Sequence, residues 1–221
     1  MEKMKEQDPE RNAMWRMDMS PMSEQGANIN KVGSQDIASS LQTLSHQIQE
    51  NNNTCKQMIQ IPKLLQSLST LVTFRLGTHI DLYVDNQRLK VRGWSRECLS
   101  WIRYFGDEQD QSDLVNQGYG RVMSISFCTA GGKGEEQDEE IWNGLEYITW
   151  FLRELHEGRT FRQPSFQPLP LLARRTEVQI EEEGASEELE AQMNNNGLDG
   201  NIKSNAKLAK AMILNRFIRR G

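Results

Sequence analysis

The sequence predicts an α+β protein: a coiled-coil helix, then a small mixed α/β body with a β-hairpin and two packed helices, flanked by polar segments. Three observations carry this prediction. Ile37, Leu41, Leu44, Ile48, Asn51, Cys55 and Met58 recur at alternating spacings of four and three, with polar residues between them. Ile80, Leu82 and Val84 alternate with Asp81 and Tyr83; beyond the turn residues Asp85 and Asn86, Leu89 and Val91 alternate with Arg88, Lys90 and Arg92. Ile141, Leu145, Ile148, Leu152 and Leu155 form one stripe at helical spacing.

In chain order, residues 1–33 form a polar arm punctuated by Pro9, Pro21, Gly26 and Gly33, and the expectation is disorder. Met14, Trp15 and Met17 stand out as adaptable apolar side chains that suit a linear motif folding on a partner. Residues 34–61 form the helix with the seam. A narrow apolar seam on a polar helix buries best against another helix, so self-association is expected, with Asn51 setting register. One helix packed on its own domain is the competing reading.

Residues 62–180 read as the compact body. Pro62 suits the start of a helix carrying Leu64, Leu65, Leu68, Leu71 and Val72. The predicted hairpin follows, and Arg88, Lys90 and Arg92 would project from one strand face, to meet phosphate or simply water. Ser95 would cap a helix whose apolar side is Cys98, Leu99, Trp101, Ile102 and Phe105, ending at Gly106. Residues 107–113 read as an acidic loop. Residues 121–129 read as a further strand through Met123, Ile125 and Phe127. The glycine-rich stretch 130–134 lacks the Gly-Lys-Ser/Thr ending of a phosphate loop. Residues 138–157 are the strongest helix, with acids at the start and Arg153, His156 and Arg159 near the end, as the helix dipole favours. Its wide stripe would cover the sheet or face a partner. A proline-interrupted segment, 160–172, and an edge strand through Val178 and Ile180 would complete the body.

The last two segments carry opposite charge. From Glu177 to Asp199 there are eight acidic residues and no basic one, so residues 181–202 read as an acidic linker. Residues 203–221 read as a basic amphipathic helix: Lys203, Lys207, Lys210, Arg216, Arg219 and Arg220 accompany Ile202, Ala206, Ala209 and Ile213. Such a helix can meet nucleic acid, an acidic membrane surface or a protein groove, or can fold back on its own acidic segment.

Composition sets outer limits. The 221 residues carry a net charge of −5, with 37% apolar and 7% aromatic side chains, enough for one modest domain with polar extensions. Three cysteines, Cys55, Cys98 and Cys128, match neither a zinc pattern nor a disulfide framework, which points to free thiols in a reducing, intracellular compartment. No apolar run approaches membrane-spanning length and no secretory signal is visible. His46, His79 and His156 form no metal or nucleophile motif, so no metal, cofactor, small-molecule substrate or catalytic activity is expected.

The order of arm, coiled coil, body, acidic linker and basic helix resembles the layout of the phosphoproteins of negative-strand RNA viruses. That resemblance implies an oligomeric adaptor joining a polymerase to a nucleocapsid. The hairpin, Trp-containing helix and returning strand are also similar to rhabdovirus matrix proteins, which implies contact with RNA or membrane. The expectation taken forward is a non-catalytic, self-associating adaptor whose body and ends hold different protein partners.

Overall fold

The computed structural model describes residues 20–50, 52–128, 136–162 and 164–218, with side chains described from Gly33 to Ile213 apart from residues 52–54. Met14, Trp15, Met17, Asn51, Arg219 and Arg220 lie outside the described residues, and of Arg216 only the helical backbone is described.

The predicted hairpin is instead the central helix, α4 (Leu82–Phe105). Asp81 caps it, accepting a hydrogen bond from the Val84 amide at 2.9 Å. Val84, Arg88, Val91, Ser95, Cys98 and Ile102 are buried at spacings of four and three, which is a helix stripe. The alternation of Leu82 with Val84 and Leu89 with Val91 is the local part of that stripe, since short apolar runs fit both periods. Leu82 ends up largely exposed, at 79%. Asp85 and Asn86 lie in the first turn rather than between strands, and Gly93 lies mid-helix. A Cβ on Gly93 would sit 2.6 Å from the Glu140 carboxylate, so the bare backbone lets a neighbouring helix approach.

Among the described residues no sheet forms; the β pairing present is an isolated bridge between Arg159 and Phe166. This corrects the α+β class to a helical one. Residues 20–33, expected as arm, belong to α1 (Ser20–Glu50), with Pro21 tolerated in the first turn. After α2 (Asn52–Ile59), α3 (Leu64–Leu71) forms as expected past Pro62. The acidic loop is α5 (Glu108–Asn116), started by a reciprocal capping box between Asp107 and Asp110. The second strand is the short α6 (Tyr119–Ser124) and a turn. The strong helix, α7 (Asp138–Glu157), is present and ends at Gly158 with φ 76°. Val178 and Ile180, expected on an edge strand, lie in α8 (Pro170–Glu182), which starts on Pro170.

The acidic linker is also helical. It comprises the end of α8, α9 (Ala185–Gln192) and a 3₁₀ turn leading into α10 (Asn201–Ile218). Ala185 and Leu189 are buried, which gives these glutamate-rich turns an apolar anchor that an open linker lacks. The strand readings fail for a shared reason. Each apolar pair sits on a helix, or for Ile125 and Phe127 on the turn that follows one, and a neighbouring helix, absent from any local window, covers it.

One core runs from Ala38 on α1 to Ile213 on α10. α1 packs along α4, α3 crosses α4, α10 lies on α7, and α6 and α8 close around α7. Within this core Leu41, Ile48 and Cys55 of the predicted coiled-coil seam are buried, and Ile37, Leu44 and Met58 pack against it. The seam is thus covered by the chain's own α4: the Cys98 thiol reaches the Leu41 carbonyl at 3.6 Å, and the Trp94 ring meets His46 edge-on. Among the described residues no helix is long and apolar enough to cross a membrane.

This packing makes α1 part of the folding unit. Ile48, fully buried, should lose about 2–4 kcal/mol of unfolding free energy when changed to alanine. Urea denaturation checks this, and a wild-type midpoint in Ile48→Ala would show that α1 stands outside the core.

Candidate binding groove

The α4–α7 pair carries the densest chemistry among the described residues. Both helices run in the same direction, and arginines of α4 meet carboxylates on or before α7 at two levels. At the first level Arg92 Nε donates to Glu136 Oε1 at 2.7 Å. Arg96 Nη2 donates to Glu136 Oε2 at 2.9 Å and to Glu140 Oε2 at 2.6 Å. Arg92, Arg96 and Glu136 are each at most 3% exposed at the side chain. Burial disfavours the Arg96 charge, but Glu136 and Glu140 outweigh it and raise its pKa. Burial pushes the Glu140 carboxyl up, with Arg96 pulling the other way.

At the second level three guanidiniums gather on Glu154, whose side chain is 3% exposed. Arg103 Nη1 lies 3.2 Å from Oε2, Arg159 Nη1 lies 3.5 Å from Oε2, and Arg162 Nη2 lies 2.6 Å from Oε1. Arg159 is also the peg of the turn after α7. Its Nε donates to the Pro164 carbonyl, its Nη1 to those of Arg103 and Tyr104, and its Nη2 to that of Gly106. Burial, with the like charges of Arg162 and Arg103 against the pull of Glu154, lowers the Arg159 pKa to about 10. Arg162 lies over the Tyr104 ring at 3.6 Å and the Phe161 ring at 5.0 Å.

Between the two levels a cleft of about 410 Å³ opens to solvent. Its aromatic walls are Trp101, Tyr104, Tyr147, Trp150 and Phe161. Trp150 is 39% exposed and Phe161 68%, unusual exposure for such large apolar groups. The ends of the cleft differ in charge. Glu97 and Glu146 line it toward the start of α7, and Arg103 and Arg162 line it toward the end. A second hollow continues along the same helices past Glu97 and Asn143 to Trp94, Lys90, Glu139 and Tyr83. Together they make one groove with aromatic walls, an acidic stretch and an arginine end.

The structure scatters the residues that the sequence singled out. Arg88 and Arg92 are buried, Arg88 donating to the Thr78 carbonyl at 2.7 Å, while Lys90 is exposed and lines the second hollow. The predicted basic strand face is therefore replaced by structural arginines at helical spacing. On α10, Ile202, Ala206, Ala209 and Ile213 are buried, and Lys207 and Leu208 are exposed. Lys203 is half-buried and Lys210 Nζ lies 2.8 Å from Glu190 of α9, so part of the basic helix meets the acidic segment. Arg103, Glu154, Arg162, Trp150 and Phe161 were not selected from sequence. Trp150 read from sequence only as one of the residues, with Trp142 and Phe151, that widen the Ile141–Leu155 stripe, so nothing local set it apart.

Cys55, Cys98 and Cys128 are free thiols, and burial pushes each up to about 12. No group of three His, Cys, Asp or Glu side chains with metal-holding geometry occurs among the described residues. The chain matches no family model, no curated protein and no solved structure.

Two outcomes follow. Arg96→Leu leaves Glu140 without its cation and Glu136 with Arg92 alone, and unfolding free energy should fall by about 3–5 kcal/mol; urea denaturation measures it, and an unchanged midpoint would remove this network from the account of how the groove is held. The native thiols should react with an aromatic disulfide reagent at pH 8 at least about 100-fold more slowly than in urea; a fast native thiol would contradict the burial described.

Proposed function

We propose that this chain is a non-catalytic interaction adaptor that holds a short segment of a second protein in the α4–α7 groove. The observation that carries the reading is the exposure of Trp150 and Phe161 beside half-buried Trp101, Tyr104 and Tyr147 on one concave face. Exposed aromatics clustered in a groove are anchors of the kind that dominate interface energetics, because they desolvate large areas with few rotors. The charges narrow the partner. Glu97 and Glu146 line the groove, and neither forms an ion pair with a described residue. A segment with one apolar anchor and a cation at the Glu97 end fits this surface. From Glu97 to Tyr104 the groove floor is about 10 Å long at the rise of a helix, room for a few extended residues.

A peptide-display selection against the full chain, with Trp150→Ala/Phe161→Ala as counter-selection, tests this. Both side chains lie at the surface, so the variant should keep its unfolding free energy in urea to within about 1 kcal/mol. Enriched peptides should carry an aromatic or aliphatic residue and a lysine or arginine, and should bind the variant at least about 10-fold more weakly, the loss of one good anchor. A pool that binds both proteins equally would sink the groove reading.

A further inference from the structure

The arginine end of the groove holds more positive charge than its own carboxylate answers. Three guanidiniums, Arg103, Arg159 and Arg162, share the single carboxylate of Glu154. Arg159 spends its donors on backbone carbonyls and stays fixed. Arg103 and Arg162 line the cleft. The Arg103 side chain is 7% exposed and its Nε and Nη1 are off hydrogen-bond geometry, Nη1 lying 3.2 Å from a Glu154 Oε2 that also lacks a hydrogen bond, while the Arg103 charge acts on the buried Tyr119 hydroxyl. Arg162 Nε is likewise buried and without an acceptor. A native interior rarely leaves guanidinium donors so. The guanidinium fork suits a planar or tetrahedral oxyanion, which accepts two parallel hydrogen bonds.

The surroundings define what carries that oxyanion. The Tyr104 ring lies against the Arg162 guanidinium, and Phe161 and Trp150 stand open at the mouth. Bare phosphate would leave these rings wet; a flat ring attached to the anion would cover them. We infer that the arginine end of the groove binds an oxyanion borne on a planar ring, an aryl phosphate or aryl carboxylate, through Arg103 and Arg162. The groove reading supplies its source, and the inference rests on that reading: an aromatic residue of the bound segment carries the anion, and the cation of the segment lies toward Glu97.

The test titrates the full chain with phenyl phosphate, benzoate, inorganic phosphate and phenol, following the indole N–H signals of Trp101 and Trp150 by NMR. Saturable shifts are expected with phenyl phosphate or benzoate, the tighter of the two naming the oxyanion. Phenol and inorganic phosphate should each bind at least about 10-fold more weakly, since each lacks one half of the contact. Arg162→Gln leaves Arg103 and Arg159 on Glu154 and should weaken the anion at least about 10-fold. Arg162→Lys, which keeps the charge and loses the fork, is the second variant and should weaken it several-fold. No saturation by either aryl anion, phenol or inorganic phosphate binding as tightly, or Arg162→Lys and Arg162→Gln both binding like the wild type, overturns the inference. A selected peptide resynthesised with a phosphorylated tyrosine that loses affinity on Trp150→Ala/Phe161→Ala but keeps it on Arg162→Gln leaves the groove reading standing and removes this one. Aryl-anion binding that survives while the selected peptides ignore the aromatic variant does the reverse.

Discussion

The fold depends on arginines of α4 finding carboxylates at the start and the end of α7. Arg92 and Arg96 meet Glu136 and Glu140, and two turns further on Arg103 meets Glu154. Pairs at two levels fix the register of two parallel helices, which apolar packing alone leaves free to slide. The arrangement has an energetic edge. Removing one partner of a buried pair strands a charge in a medium that solvates it poorly, so the pairs act more as a constraint on alignment than as a surplus of stability. Gly93 belongs to the same constraint, because a side chain there would collide with the carboxylate that Arg96 holds.

The groove is a consequence of that alignment. With both ends of the interface held by charge, the middle is left to Trp101, Tyr104, Tyr147 and Trp150, whose bulk holds the helices apart and opens the cleft. The edge-on contact of Trp101 with Tyr104 and of Tyr104 with Phe105 makes the α4 wall a stiff aromatic ledge. Rigid rings on packed helices would lose little rotamer freedom to a partner, which supports the proposed binding role. The turn after α7, pegged by Arg159, sets Arg162 and Phe161 at the mouth.

The seam of α1 is the clearest case of one pattern with two physical solutions. A stripe at spacings of four and three can be buried by a second copy or by another helix of the same chain. Here α4 supplies a complementary stripe and covers Leu41, Ile48 and Cys55. The basic and acidic ends behave alike: α10 lays its Ile202–Ile213 stripe on α7, and α9, whose buried apolar residues are Ala185 and Leu189, packs against α10 and α8.

By itself the sequence determined the helices whose signals are local. Residues 138–157 carry a full stripe, acids at one end and glycine at the other, and α7 has those bounds. The helix beyond Pro62 and the absence of a long apolar span were legible in the same way. Only the tertiary structure decided the rest. Whether Leu82–Val91 is strand or helix turns on what covers Val84, Val91 and Cys98, and the covering residues lie far away on α1, α3 and α7. The site is less legible still. Arg103, Glu154 and Arg162 share no local spacing, and their chemistry comes from burial, which removes water and leaves three cations to one carboxylate. Dielectric and distance are properties of the packed molecule, and no window of the sequence contains them.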